Sequence, residues 1–326
     1  MLFDFAPDGN FNFLAAFAQR VGASLHDNTL TLPRSLGIGS IKRVRMTPDF
    51  SLLIHQYTLT EELILRRTAA EDASDKVNVL FHSNTRSEGQ PEPDDVAPTD
   101  RRAEYAIRIT SPDINSEIRF PPGQAIFFTV LSMTRPALRN LLKINKMNRV
   151  VEQILVGSQG FLFYETMNAD AQKTLRTLTA VDTHLELGEF RIWIQVQELL
   201  YWLFARLLAR ETVKHRPVHR ADAEQLGRVR AAIVADLSAP PQLTELAKLA
   251  GISISKLTDL FKQVFGDSIY DYFQKARMDE AGYLLKQGGY SVSETGYRLG
   301  FSNLSHFSRL FDKHYGIKPK RFATER

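Results

Sequence analysis

Over roughly the first 135 positions, apolar residues come in short runs that alternate with polar ones and are separated by turn formers. The runs are "NTLTLP", "SLGIGSIKRVRM", "FSLLIHQYTL", "ELILRRT", "VNVLFHS", "EYAIRIT" and "AIFFTVL". Each has strand length and β-favouring residues, and Ile107 and Ile109 flank Arg108 with a period of two. Short strands at this spacing predict a small barrel or sandwich. The stretch "RSEGQPEPDDVAPTDRR", Arg86 to Arg102, is rich in Pro and acid and reads as a long loop between two strands.

From about Pro136 the period changes to that of a helix. "RPALRNLLKIN" is short and amphipathic, "NADAQKTLRTLTAV" opens at the N-cap residue Asn168, and a longer helix follows Gly188. That last helix carries Trp193, Tyr201, Trp202 and Phe204. Aromatics favour interface cores, so we read a dimer contact there, with packing against the strands as the alternative. "TVKHRPVHR", residues 212–220, lacks apolar periodicity and reads as a linker.

Beyond the linker the chain repeats itself. "LTELAKLAGISISKLTDLFKQVFG" from Leu243 aligns with "VSETGYRLGFSNLSHFSRLFDKHYG" from Val292. Thr244, Glu245 and Gly251 correspond to Ser293, Glu294 and Gly300. Leu257, Phe261 and Gly266 then correspond to Phe307, Phe311 and Gly316 after a one-residue insertion in the turn. Each copy reads as a capped short helix opened by Thr244 or Ser293, with Ala247 or Gly296 allowing a close crossing. A glycine exit and a second apolar-striped helix follow. This is helix-turn-helix grammar, stated twice. Leu257, Leu260, Phe261 and Val264 form the buried stripe of the first copy, and Phe307, Leu310 and Phe311 that of the second. Between the copies "SIYDYFQKARMDEAGYLLKQ" predicts a helix roughly 30 Å long. Successive major-groove faces of B-DNA lie about 34 Å apart, so such a spacer suits two probe helices on one side of a duplex.

At these residues the sequence resembles the AraC/XylS family of bacterial transcription regulators. The resemblance rests on "ISISKLTDLFKQVFGDSIYDYFQKARMDEAGYLL" and "SVSETGYRLGFSNLSHFSRLFDKHYGIKPKRF", and it covers about 100 residues. More loosely, "FLFYETMNADAQKTLRTL" and "FRIWIQVQELLYWLF" resemble the regulatory half of the siderophore-responsive, pyochelin-regulator-like branch. The resemblance implies an α+β chain: a cupin-like β-barrel at about 25–135, dimerising helices at about 136–211, and an all-α tandem helix-turn-helix domain at 221–326. It implies promoter DNA and RNA polymerase as partners, a homodimer, and a small-molecule or protein effector. By position, the family's base-reading residues fall on Ser255, Lys256, Thr258 and Asp259, and on Asn303, Ser305, His306, Ser308 and Arg309. Lys262 and Lys313 are placed to meet phosphate. Arg309 leads, because a guanidinium pairs bidentately with guanine. Two departures from the family pattern are Gly296, where the family has Ala, and Phe322, near a family Arg. Arg277 in the spacer is read as a partner of Asp279, Glu280 or another acid, in preference to a phosphate contact.

Charge agrees with this layout. Residues 1–211 carry 23 Lys and Arg against 25 Asp and Glu, and residues 221–326 carry 15 against 12, with three basic residues in the linker. The chain has no cysteine, which excludes disulfides and thiolate chemistry and fits a reducing compartment. No signal peptide or membrane span is read, so the cytoplasm is expected. Phosphate-binding and nucleophile-elbow motifs are absent, and no cofactor is expected. His26, His55 and His82 lack the spacing of a metal site, while His215 and His219 flank Pro217 in the linker. Two other classes stay open on the sequence alone: a small-molecule-binding barrel enzyme and an adaptor using its helical repeats for protein contacts.

Overall fold

The computed structural model describes residues 1–7, 11–69, 75–83, 105–123, 125–157, 159–181, 185–210, 218, 220–286 and 289–324. These fall into two compact units, one up to Ala223 and one from Glu224 onward. The expected Arg86–Arg102 loop, most of the linker, His215 and His219 lie outside the described residues.

The first unit is built on two sheets. Among the described residues eleven strands run β1 (Leu2–Phe5), β2 (Leu25–His26), β3 (Thr29–Thr31), β4 (Gly37–Thr47), β5 (Phe50–Leu59), β6 (Leu63–Arg67), β7 (Lys76–Ser83), β8 (Tyr105–Thr110), β9 (Ser116–Phe120), β10 (Ala125–Thr134) and β11 (Leu162–Thr166). One sheet has eight strands in the order β11-β8-β7-β10-β5-β4-β3-β2, and the other three in the order β1-β6-β9. All seven apolar runs of the sequence become strands. The period-two pattern missed β1, the short β2 and β9.

It also missed β11, which lies inside the stretch read as helical. Phe163 and Glu165 of this strand turn inward, and β11 pairs antiparallel with β8 from Leu162 opposite Thr110. Nearby Asn168 does cap a helix, accepting from the Ala171 amide at 2.8 Å.

A closed cupin-like barrel is not formed among the described residues. The large sheet ends in two unpaired edges, β2 and β11, which do not meet. Its inner face is covered by the separate three-stranded sheet, together with helix α1 (Phe13–Val21). Alternation along the strands explains the layering. Phe50, Leu52 and Ile54 of β5, with Val77, Val79 and Phe81 of β7, point to one face. There they meet helices α2 (Arg135–Leu142), α3 (Arg149–Leu155), α4 (Ala169–Thr179) and α5 (Gly188–Leu208). Tyr57, Leu59, Ile126 and Phe128 point to the other face, where Phe3, Leu63, Leu65 and Phe120 close over them.

Helix α5 is tied to the sheet at its end. Buried Glu165 accepts from Arg206 Nε at 3.1 Å and Arg210 Nε at 2.6 Å. The aromatic cluster of this helix divides. Trp193 packs edge-on against Phe50, Trp202 rests on the same core and Phe204 is buried, so only Tyr201 faces outward. The exposed apolar stripe is a different set, Leu187, Ile194, Tyr201 and Leu208 at seven-residue intervals, with Phe190 beside it.

Among the described residues the second unit is all helical. It comprises α6 (Arg220–Ala235), α7 (Leu243–Ala250), α8 (Ile254–Phe265), α9 (Ile269–Lys286), α10 (Val292–Arg298), α11 (Leu304–Tyr315) and α12 (Pro319–Thr324). The α+β class read from the sequence holds. Among the described residues no helix is long and apolar enough to cross a membrane.

Candidate nucleic-acid interface

Two helix pairs, α7–α8 and α10–α11, flank the connecting helix α9. At 18 residues α9 is about 27 Å long. Both pairs turn on a left-handed glycine, Gly251 at φ 65° and Gly300 at φ 74°. At Gly300 the requirement is also steric, since a Cβ there would lie 1.7 Å from the Ser238 carbonyl oxygen.

The N-caps of the first helices stand two residues earlier than expected. Gln242 precedes α7 and Ser291 precedes α10, in place of Thr244 and Ser293. The reason at α10 is a capping box. The Ser291 hydroxyl accepts from the Glu294 amide at 3.2 Å, and the Glu294 carboxylate accepts from the Ser291 amide at 2.8 Å. Two orphan amides are satisfied at once, and these bonds hold the Glu294 carboxyl below its usual range. The small residue called for inside the helix is also explained. A Cβ on Gly296 would sit 2.6 Å from Leu304 Cδ2, so this glycine makes room for the start of α11.

Helices α8 and α11 are the probe elements. Ser253 caps α8 by accepting from the Lys256 amide at 3.2 Å, and Asn303 caps α11 by accepting from the His306 amide at 3.0 Å. The Asn303 side chain, assigned from the sequence to base reading, therefore has its carbonyl oxygen engaged in the cap. The inward stripe falls where periodicity placed it. Leu257, Leu260, Phe261 and Val264 are buried in α8, as are Phe307 and Phe311 in α11, while Leu310 is half-buried.

On the outward side of α8, Ser255 is exposed, and Lys256, Thr258, Asp259 and Lys262 are half-buried. The Thr258 hydroxyl donates back to the carbonyls of Ile254 and Ser255, at 3.0 and 3.1 Å. On α11, Asn303, Ser305, His306, Arg309 and Lys313 are exposed, and Ser308 is half-buried. All eleven sequence-predicted residues thus lie on or at the caps of the two probe helices, and none is in the core.

Arg277 takes neither role read from the sequence. It is buried in α9, and its Nε donates to the Leu299 carbonyl at 3.2 Å, with a second bond from the same guanidinium to that oxygen. Its Cζ lies 3.7 Å from the centroid of the Phe301 ring. Burial pushes this guanidinium below its ordinary pKa. Arg277 thus holds the carbonyl end of α10 and the following turn against the spacer, where the last carbonyls of a helix lack intrahelical donors. Phe322 likewise has a packing role, with its ring 5.1 Å from Phe311 and 4.5 Å from Tyr315, and Lys286 lying over it. Nothing in the local sequence around Arg277 marks its use, because the acceptor is a backbone carbonyl 22 residues away.

The histidines weighed as ligands are dispersed in environment. His26 lies 3.3 Å from the Ser24 hydroxyl, and His55 is stacked on Phe128 at 3.9 Å, where burial drives its pKa down to about 3. Among the described residues no three His, Asp or Glu side chains converge in a metal-binding group.

Comparison with known proteins points to the same segment. A family profile described as a helix-turn-helix domain matches residues 246–325. The Msm operon regulatory protein of Streptococcus mutans is 27% identical over 149 residues, 45% of this chain and 50% of that protein. The HTH-type transcriptional regulator GlxA of Rhizobium meliloti is 35% identical over 80 residues, 24% of this chain and 25% of that one. The chain thus spans half or less of these two curated relatives. An AraC-type transcriptional regulator from Chromobacterium violaceum, known as a crystal structure, is 29% identical, with 31% of this chain and 90% of that chain covered and a TM-score of 0.30. Residues 246–325, which hold the second motif and most of the first, thus match a helix-turn-helix domain, and this segment is similar to transcription regulators of the AraC type.

Proposed function

We propose that this protein is a sequence-specific, double-stranded-DNA-binding transcription regulator that reads two adjacent major-groove segments with α8 and α11. The observation that carries the reading is the duplication itself. Two helices in register present outward polar faces while their apolar stripes are buried. Ser255, Lys256, Thr258 and Asp259 read bases from α8, and Asn303, Ser305, His306, Ser308 and Arg309 from α11. Lys262 and Lys313 meet phosphate. In this reading residues 1–211 form the regulatory and dimerisation domain, 212–220 the linker and 221–326 the DNA-binding domain. The protein works in the cytoplasm and alters recruitment of RNA polymerase to the promoter.

Dimerisation is assigned to α5. Ile194, Tyr201 and Leu208 repeat every seven residues on its exposed side, with exposed Leu187 at its N-cap, the spacing that lets two helices pack along a seam. An effector in the first unit would change dimer geometry and hence the spacing of the DNA sites.

The test is a gel-shift titration of the full chain on intergenic fragments flanking its own gene. A reader of this kind loses affinity steeply with salt, log K falling linearly against log salt. Retention of one fragment over scrambled competitor at low salt is the expected result. Equal affinity for every fragment, or no retention at low salt with and without candidate effectors, sinks the proposal.

A further inference from the structure

The inner face of the large sheet encloses a cavity of about 220 Å³, wholly within the first unit. Strand pairing arranges its wall in rows. One row carries His55 of β5 opposite Phe128 of β10. The next runs Arg43, Leu53, Val130, Leu80, Arg108 across β4, β5, β10, β7 and β8. The third runs Ser51, Ser132, Asn78, Thr110. Lys76 lies beyond it on β7. Opposite, Phe5, Phe11 and Phe13 close the aromatic end, and Arg67 of β6 reaches the polar one. The cavity therefore grades from aromatic to polar and cationic along the strands.

The charge is one-sided. Arg43, Arg67, Lys76 and Arg108 line the cavity, and among the described residues no Asp or Glu does. Asp113 acts on Arg67 from outside the lining. Arg67 donates to Thr110, to the Ser111 carbonyl and to the Ile114 carbonyl at 2.8 Å, all neutral acceptors. Arg108 donates to Ser116. The Nε atoms of both guanidiniums and Nδ1 of His55 are buried without a partner. Burial and the neighbouring Arg108 charge lower the Arg67 pKa to about 10 against the opposing pull of Asp113, so it stays protonated at neutral pH while its direct hydrogen bonds all go to neutral acceptors. A buried charge without an opposite charge costs several kcal/mol, and an anion arriving between two such groups offsets that cost. Charge-assisted bonds from guanidinium to carboxylate are among the strong hydrogen bonds available to proteins.

We infer that this cavity binds a small carboxylate with an apolar body, the carboxylate among Arg67, Arg108 and Lys76 and the body against Phe5, Phe13 and Phe128. Its meaning as an effector site rests on the regulatory reading above; the binding itself does not.

The experiment is calorimetry on the purified full chain without DNA, using 2-naphthoate and octanoate, each against its neutral amide. At least one carboxylate is expected to bind at least ten-fold more tightly than its amide. The naphthoate and octanoate arms decide between a planar and a flexible body. Arg108→Gln, which keeps a donor for Ser116, is expected to bring carboxylate affinity down to that of the amide, and Lys76→Gln to weaken it several-fold. Thermal melts check that both variants fold, and the lysine variant keeps the test open should the arginine one fail. Absence of carboxylate binding at millimolar concentration, or equal binding of acid and amide, overturns the inference. Failure of the DNA-binding reading would show separately, in the gel shift.

Discussion

The two helix-turn-helix copies share a grammar and differ in how they are held. Helix α8 buries six of its twelve residues, including Gln263, Val264 and Phe265 in its last turn. The same last turn of α11 carries Lys313, His314 and Tyr315, and only Phe307 and Phe311 of that helix are buried. At about 1.5–3 kcal/mol per fully buried large apolar side chain, the first copy is anchored by area. The second is anchored by specific contacts. Arg277 grips the Leu299 carbonyl, His314 meets Asp279 at 2.8 Å, a capping box closes α10, and Phe322 covers Phe311. Outward chemistry differs too, because Asp259 in α8 stands where α11 has Arg309, and Lys262 where it has Asp312. Duplicating a motif does not duplicate its surroundings, and a copy with less buried area depends more heavily on its individual polar contacts.

The sharpest break in the comparison is at the turn glycines. Gly251→Ala meets open space and suffers only the left-handed backbone, about 1–2 kcal/mol. Gly300→Ala suffers that and drives a methyl into the Ser238 carbonyl, and is expected to cost about 3–5 kcal/mol. Urea melts of the two variants check this; equal losses would mean the turns are equivalent after all. Next in size, Arg277→Met strips a buried carbonyl of a charged donor and loses stacking on Phe301. About 2–3 kcal/mol is expected, read from the same melts. Arg277→Lys should recover less than half, because an ammonium can neither fork onto Leu299 nor lie flat on the ring.

These positions also mark how far the sequence could be read. Both apolar stripes, both turn glycines and seven strands were legible because period and punctuation are local. Strands β1, β9 and β11 were not. β1 and β9 complete the small sheet through partners far off in the chain, Leu2 against Ile64 and Phe120 against Leu63. β11 was hidden in a helical neighbourhood, its five residues too few to override the pattern on either side. The closed barrel failed for the same reason, since which edge meets which is a property of long-range pairing. In the candidate interface, residue types were visible but their commitments were not. In "GFSNLSHF" a cap for α11 was legible, but not that Asn303 is the residue that spends its carbonyl oxygen on it, and nothing in "KARMDEA" says that Arg277 bonds to a carbonyl beyond α10.

A smaller effect separates the two outward faces. Arg309 is exposed and makes no ion pair among the described residues, so its guanidinium is available to a base edge. Arg309→Ala is expected to remove about 1–3 kcal/mol of discrimination at one operator position and to leave other positions unchanged. Asp259→Ala, at the matching place in α8, should change discrimination less and raise affinity for all sequences, because it removes a negative charge from a face that approaches a polyanion. Competition binding over single-base operator variants measures both. A uniform loss across positions for Arg309→Ala would recast that residue as a phosphate contact.

The finest test concerns Gly296, the departure from alanine in the second copy. In an open helix, Gly→Ala would stabilise by about 0.8–1.0 kcal/mol. Here the new methyl meets Leu304 Cδ2 at 2.6 Å, a flexible side-chain tip that can yield at some cost in packing. The two terms are similar in size, so Gly296→Ala alone is expected within about 0.5 kcal/mol of the parent. The first copy has Ala247 and Ile254 at the equivalent positions, so one copy pairs a glycine with Leu and the other an alanine with Ile. If crowding by Leu304 is what cancels the gain, Leu304→Ala should cost less in the Gly296→Ala background than in the parent, with a coupling of at least about 0.5 kcal/mol. Strict additivity in that double-mutant cycle would detach the glycine from Leu304 and leave the departure without a packing cause.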